Sequence, residues 1–361
     1  MSEIKVNSIK GVAASTAAIT VNNTDGSCTA NLTNRTNKNL VVNGACLIAQ
    51  RGTSSTTNGY GSVDRFRIFF TGLDESPTQA QADVASGTTP YTSGFRKCVK
   101  VTNGNQTSGA GAGDYIVIRT TLEAQDIANS GWNYTSSSSN VTLQFWIKSS
   151  VAQNFYGRLQ TQDGTTYNFP FETGSLSADT LTKITKTISG NSNLTFNNDN
   201  GGGLRVEVIP FYGTDYTASP SLNTWAAFSS SSRTPDNTST WYTTNDATLE
   251  ITGLQLEVSD HATSFEHRSF AEELALCQRY YYKNTIIGIV IFNDYNNSTS
   301  NFWATMFLPT VMRANPTATI TNVLSGSISG TNTSVFMLSF QSSAGTTYFG
   351  NGTVVEASAE L

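Results

Sequence analysis

The chain has 361 residues, of which 13% are charged, about half the share usual for soluble domains, while 38% are hydrophobic and 11% aromatic. That many apolar residues at so low a charge excludes an intrinsically disordered chain. A net charge of −5 with no run of Lys and Arg argues against a nucleic-acid binder, and no apolar run nears the roughly 20 residues that span a bilayer, so neither nucleic acid nor membrane insertion is expected.

In chain order, residues 1–39 form a polar segment with short apolar alternations at Ile4, Val6 and Ile9 and again at Ile19 and Val21, broken by Gly11, Asn22-Asn23 and Asp25-Gly26. Too few large apolar residues occur here to bury a core, so the segment is expected to fold against other copies or a docking partner. Its start, Met1-Ser2-Glu3-Ile4-Lys5-Val6, lacks the charged-then-apolar layout of a secretory signal, which predicts assembly in a cytoplasm.

Residues 40–268 read as many short strands. Phe66, Ile68 and Phe70 alternate with Arg65 and Arg67, and residues 115–118, 143–147, 204–209 and 249–256 are further runs. Asn58-Gly59, Asp163-Gly164, Asn198-Asp199-Asn200-Gly201 and Pro235-Asp236-Asn237 separate them as turns. The pattern predicts a mainly β fold with a jelly-roll β-sandwich. Two helical turns are expected inside it: residues 79–84 after Ser76-Pro77, and residues 121–128.

One helix follows, over residues 269–281. Ser269 and Glu272 have the spacing of a capping box, and Phe270, Leu274, Cys277 and Tyr281 recur at helical spacing as an apolar stripe for an oligomer or helix interface. Residues 284–361 return to β as a C-terminal domain, and the run Ile286-Ile287-Gly288-Ile289-Val290-Ile291-Phe292 implies burial on both faces. So small a domain is expected to complete its core around a symmetry axis.

Catalytic ingredients are scarce. The two histidines, His261 and His267, both lie in the link to the helix, and no G-x-S-x-G elbow occurs. Gly109-Ala110-Gly111-Ala112-Gly113 lacks the rest of a nucleotide loop and reads as a loop tip. Asp114, Glu123, Asp126, Glu172, Asp215 and Asp246 are the carboxylates from which a polysaccharide-cleaving pair would be drawn, and their spacing singles out none. Cys28, Cys46, Cys98 and Cys277 lack metal or redox spacing and read as free thiols. No cofactor or metal motif is present; Asn198-Asp199-Asn200 lacks the spacing of a calcium loop. Sugar binding needs aromatic faces beside polar side chains. The loop aromatics Trp241 and Tyr242 lead as an exposed platform, followed by Trp132, Tyr134, Trp225, Tyr212 and Tyr216, whereas Trp146 and Trp303 sit in apolar strands and read as core.

Gly253-Leu254-Gln255-Leu256-Glu257-Val258, Thr263-Ser264-Phe265-Glu266-His267-Arg268-Ser269-Phe270 and the segment from Glu272-Glu273-Leu274 to Cys277-Gln278-Arg279-Tyr280-Tyr281 resemble the signature of phage and prophage fibre proteins. Glu123-Ala124-Gln125-Asp126-Ile127 with Gly131-Trp132, Val141 to Ser149, and Gly203-Leu204-Arg205-Val206 extend the resemblance over roughly residues 40–283. Ser264 and Ser259 depart from the usual proline and glycine and loosen the turn before the helix. The resemblance implies a carbohydrate-binding-module-like sandwich, residues 1–39 as the attachment end to a virion tail or head adaptor, a homotrimer, and adhesion to host-surface polysaccharide or lipopolysaccharide from a virion assembled in the host cytoplasm. It leaves open a purely architectural fibre or decoration protein without a receptor site, and a polysaccharide depolymerase, although no enzyme is expected.

Overall fold

Two antiparallel six-stranded sheets, packed face to face, make the body of the molecule. The computed structural model describes residues 6–12, 18–21, 24, 28–30, 37–286, 290–291, 300–321, 327–342, 347–348 and 353–361. In chain order the sandwich strands are β1 (Ser54–Ser55), β2 (Arg67–Thr71), β3 (Thr78–Asp83), β4 (Lys97–Thr102), β5 (Tyr115–Glu123), β6 (Asn140–Ser149), β7 (Asn154–Thr161), β8 (Tyr167–Ser175), β9 (Thr182–Ser189), β10 (Gly202–Tyr212), β11 (Ala226–Ala227) and β12 (Thr248–Val258). One sheet runs β11-β8-β7-β10-β5-β2 and the other β9-β6-β12-β4-β3-β1. Most neighbours are not consecutive in sequence, as in a jelly roll and unlike a meander.

Alternation along the strands sends Ile68, Ile118, Leu159, Phe171 and Val206 from the first sheet, and Val99, Leu143, Phe145, Ile147 and Ile251 from the second, into one shared core. Gly253 breaks the alternation of β12. Its φ of +67° coincides with a register shift against β6, and a Cβ there would lie 2.7 Å from the Phe95 ring. Glycine is required at this bulge on both counts.

The helical turn expected at residues 79–84 is instead β3, paired with β4 and β1. Its Gln and Ala residues favour helix, but Gln79 is 1% exposed and donates to the Thr57 and Gly59 carbonyls, so tertiary pairing overrides propensity. The turn expected at residues 121–128 is half strand: β5 continues to Glu123 before a short helix, Ala124–Ala128.

Helix α1 spans Phe270–Gln278 and carries the full capping box between Ser269 and Glu272. It is shorter than expected because Tyr281 already opens the strand Tyr281–Ile286. The expected apolar stripe is corrected as well. Cys277 and Tyr281 are buried within this chain, Leu274 is half-buried, and Phe270 is 61% exposed. What α1 turns inward is Glu273, Cys277 and then Tyr280, with Glu273 accepting the Asn43 N–H at 2.5 Å.

Beyond α1, the strands Tyr281–Ile286, Thr353–Ser358 and Thr317–Thr321 form one small sheet and Ser300–Phe307, Val335–Ser342 and Ser327–Thr331 another. Leu308, Met312, Val355, Ala357 and Ala359 supply their small core. The burial expected for residues 286–292, and for Trp303, lies outside the described residues and side chains. This domain is joined to the sandwich by polar contacts. Arg65 reaches Glu360, the Tyr60 hydroxyl donates to the Leu361 carbonyl at 2.6 Å, and Arg313 donates to the Asn200 carbonyl at 2.7 Å. In the N-terminal segment Ser8–Ile9, Ile19–Val21 and Cys28–Ala30 pair as a small sheet that leaves Val6, Ile9 and Val12 exposed.

Candidate functional site

Of the seven aromatics singled out in the sequence, five are buried. Trp241 and Tyr242, expected as an exposed platform, are 0% and 1% exposed. The Trp241 indole N–H donates to the Thr248 carbonyl at 3.0 Å, and Tyr242 stacks on Phe211 at 4.2 Å while its hydroxyl donates to Asp114 at 2.9 Å. Burial, and then that hydrogen bond, push the Tyr242 pKa up. Trp132 and Trp225 likewise spend their indole N–H groups on main-chain carbonyls, of Ser139 at 3.1 Å and Ser189 at 2.9 Å. Satisfying the polar edge inside the protein is what makes a tryptophan an anchor and leaves no face for a sugar. Tyr212 is also buried, and Tyr134 is half-buried against Phe196 at 4.9 Å. Tyr216 remains half-buried and lies on the outer face of the first sheet.

That outer face is built by strand register. Arg67 of β2 pairs with Arg119 of β5, Arg119 with Glu207 of β10, and Glu207 with Arg158 of β7, so four charged residues stand abreast across four strands. The adjacent row is Thr121, Arg205, Gln160 and Asn168. On the other side Phe69 pairs with Val117 and Ile209 with Tyr156. All point away from the inter-sheet core, because their chain neighbours Ile68, Ile118, Leu159 and Val206 point into it.

Glu207 organises the face. It is fully buried and accepts from Arg119 Nε at Oε1 and from Arg158 Nε at Oε2, both at 2.5 Å. Burial raises its pKa, but Arg158 and Arg119 outweigh burial and hold it at about 2. The Arg119 guanidinium stands 4.1 Å from the Phe69 ring centroid and Arg158 stands 5.4 Å from that of Phe228. The chain after β10 returns across the face. Asn168 Nδ2 donates to the Arg233 carbonyl at 2.9 Å, the Phe228 N–H to the Thr166 carbonyl at 2.9 Å, and the Arg233 guanidinium lies 4.3 Å over the Tyr216 ring. Tyr115 meets Phe69 at 5.4 Å and Tyr216 at 5.3 Å in edge-to-face geometry. The result is a half-buried aromatic shelf, Phe69, Tyr115, Tyr216 and Phe228, beside guanidinium and amide groups.

Of this constellation the sequence reading found Tyr216 alone. The cations are scattered at positions 67, 119, 158 and 205, so no run marks them. The available signal was a single Arg inside each of several apolar strands, at period two, on the face opposite the core residues.

Of the six candidate carboxylates, Glu123 pairs with Arg279 at 2.7 Å, Asp114 accepts from Tyr242, Glu172 accepts from Asn154 at 2.9 Å and Asp246 accepts from Asn245 at 3.2 Å. Cys46, Cys98 and Cys277 are free and buried. Glu266 and Arg268 of the link lock the sandwich to the helix: Glu266 accepts the Asn39 N–H at 2.7 Å and Arg268 donates to the Asn39 carbonyl. The His267 ring lies with its Nε2 at 2.9 Å from the Ser93 carbonyl. Among the described residues no helix is long and apolar enough to cross a membrane.

No protein-family model and no curated protein matches the chain. Solved structures are similar to it at low scores. The enzymatically active domain of tailspike protein 4 of bacteriophage CBA120 is 11% identical with a TM-score of 0.31 over 61% of this chain and 21% of that one. A CBM4 structure is 10% identical with a TM-score of 0.31 over 60% and 98%. The N-terminal cellulose-binding domain of a Cellulomonas fimi β-1,4-glucanase is 8% identical with a TM-score of 0.28 over 59% and 98%. This chain thus spans about a fifth of the tailspike domain. The sandwich fold rests on its own strand pairing.

Proposed function

We propose that the chain is a bacteriophage fibre protein whose sandwich binds host-surface glycan on the outer face of the β11-β8-β7-β10-β5-β2 sheet. The observation that carries the binding site is the half-buried aromatic shelf of Phe69, Tyr115, Tyr216 and Phe228 set beside the guanidinium groups of Arg67, Arg119 and Arg233. Ring faces pack on the apolar faces of sugars while guanidinium groups donate to hydroxyls, and side chains already fixed by strand register lose little entropy on binding. The virion role draws on the G-L-Q-L-E, F-E-x-R-S and C-Q-R-Y-Y residues, of which Gln255 accepts the Glu266 N–H, Glu266 and Arg268 bond the Asn39 main chain, and Arg279 pairs with Glu123.

Assembly belongs to the same proposal. Phe270, Leu276 and Val311 are exposed apolar side chains, and Leu276 and Val311 line an open groove of about 820 Å³ beside α1. In a homotrimer these would meet the other copies, and three weak glycan sites would then act together. Residues 1–39 are assigned to virion attachment.

The test is binding of fluorescently labelled protein to whole host cells with intact or enzymatically stripped surface polysaccharide, using the wild type and Tyr216→Ala. Saturable binding that falls on stripping and falls with the substitution supports the reading. Binding that persists on stripped cells, or no binding by a folded protein, overturns it in favour of a protein receptor or of an architectural fibre.

A further inference from the structure

The outer face has an imbalance of charge that neutral sugars do not need. Arg67, Arg119, Arg158 and Arg205 bring four guanidinium groups to two adjacent rows, whereas Glu207 is the one carboxylate there, and it is already shared by Arg119 and Arg158. Nearby carboxylates are committed elsewhere: Glu123 to Arg279, Glu172 to Asn154, and Glu360 to Arg51 and Arg65. This local excess runs against the chain's own net charge of −5, so it is a feature of the face and not of the protein.

Arg205 is the group left short. Its Nε is buried without a hydrogen-bond partner, and its Nη1 has a long contact of 3.3 Å to Gln160 Oε1. Among the described residues it makes no ion pair. Burial, followed by the neighbouring cation Arg119, lowers its pKa to about 10, the direction expected of a cation held among cations. A buried donor without a partner is costly, and a guanidinium fork fits one ligand chemistry best, the two oxygens of a carboxylate or phosphate.

We propose that this face takes an acidic polysaccharide, built of uronate or sugar phosphate, with the anionic group of one sugar against Arg205 and the pyranose ring of a neighbouring sugar on the aromatic shelf. The proposal rests on the glycan-binding reading and narrows its substrate class. Arg67, which faces the same side two strands away and has no ion pair among the described residues, extends the cationic track toward the next sugar of an acidic polymer.

The experiment uses the full chain on immobilised bacterial polysaccharides, each acidic polymer beside its carboxyl-reduced or dephosphorylated counterpart, with a single-stranded oligonucleotide as a further arm. Wild type, Arg205→Gln, Arg205→Lys and Tyr216→Ala are compared, and the fold of each is verified by thermal unfolding. The expected result is retention of acidic polymers, with about tenfold or greater loss on carboxyl reduction or dephosphorylation and a similar loss in Arg205→Gln, the size of one charge-assisted hydrogen bond. Arg205→Lys retains part of the binding, and added salt weakens it. The reduced and dephosphorylated arms tell carboxylate from phosphate. Equal binding of acidic and neutralised polymers, lost in Tyr216→Ala but intact in Arg205→Gln, overturns the acidic assignment and leaves the glycan site standing. Oligonucleotide bound as tightly as the best polysaccharide overturns the sugar. As a check that needs no cognate polymer, titration with glucuronate should move the Arg205 Nε–H resonance while glucose at equal concentration should not; an unmoved resonance together with no retained polymer overturns both proposals.

Discussion

Arg279 and Glu123 form a two-point pair, Nε to Oε1 at 2.7 Å and Nη2 to Oε2 at 2.8 Å, that ties the end of α1 to the last residue of β5. Burial raises the Glu123 pKa, but the hydrogen bonds from Arg279 and Tyr280 hold it below the usual range. Around this pair the Arg65 guanidinium lies 3.4 Å over the Tyr280 ring and that of Arg51 3.5 Å over Tyr281. The Gln-Arg-Tyr-Tyr end of the helix signature is therefore a clamp between helix and sandwich. That explains why Cys277 and Tyr281 are unavailable as an oligomer stripe.

Arg279→Ala leaves the carboxylate of Glu123, 0% exposed, without its main partner. Stranding a buried charge costs about 3 kcal/mol. Urea unfolding should show that loss with glycan binding unchanged below the transition. The double variant with Glu123→Gln should recover part of it, because the uncompensated charge is then gone.

Glu207→Gln is expected to destabilise by a similar amount, about 3 kcal/mol, since Arg119 and Arg158 would then face each other without an anion. The sign with pH follows from a depressed carboxylate. The folded value is about 2 against a reference of 4.5, so the stabilisation is present above about pH 4.5 and lost as pH falls through 2. Wild type should lose stability on acidification in this window, and the variant should show a shallower acid limb in denaturant titrations.

Asp64 has the opposite sign. Its side chain is 1% exposed, and burial raises its pKa from 3.8 to about 6 despite hydrogen bonds from Gln50 and the nearby Arg51. A raised carboxylate contributes stability below the unfolded pKa and forfeits it as pH rises through the folded one, up to about 3 kcal/mol here. Between pH 4 and pH 7 Asp64→Asn should flatten the decline that the wild type shows. An unchanged slope would falsify the assignment of that decline to Asp64.

The sandwich was legible because short apolar runs bounded by turn residues mark buried antiparallel strands. Residues 115–118, 143–147, 204–209 and 249–256 all fall inside observed strands, and the Ser269–Glu272 box marked the helix start correctly. Residues 79–84 misled because their local composition favours helix while pairing partners 18 residues on decide for strand, as Gln81 with Val99. Loop aromatics misled for a related reason. Trp132, Trp225 and Trp241 stand in Ser- and Thr-rich surroundings, yet each indole finds a carbonyl that lets it enter the interior. Sequence shows which residues flank an aromatic and not which carbonyl lies 3 Å from its N–H. The Arg face was hidden because register, which brings Arg119 opposite Glu207 across 88 residues of chain, is set by the whole sheet.

Trp241→Ala should consequently behave as a core substitution, costing about 3 to 5 kcal/mol. Cell binding by the fraction that stays folded should match the wild type, in contrast to Tyr216→Ala. Measuring binding well below each variant's melting temperature separates the two cases.

The exposed side of α1 gives the last prediction. Phe270 is 61% exposed and Leu276 36% exposed, and in an isolated chain neither contributes much to stability. In an oligomer joined along this helix both become desolvated, and burial of each is worth about 1.5 to 3 kcal/mol per copy. Phe270→Asp with Leu276→Asp should therefore reduce the oligomer to monomer in light scattering, with far-ultraviolet circular dichroism unchanged. Monosaccharide binding per chain should stay the same while retention on whole cells falls by more than tenfold, because linked sites lose their effective concentration when separated. If the doubly substituted chain retains its assembly, the helix face is not the interface, and the small sheets after residue 281 become the next surface to vary.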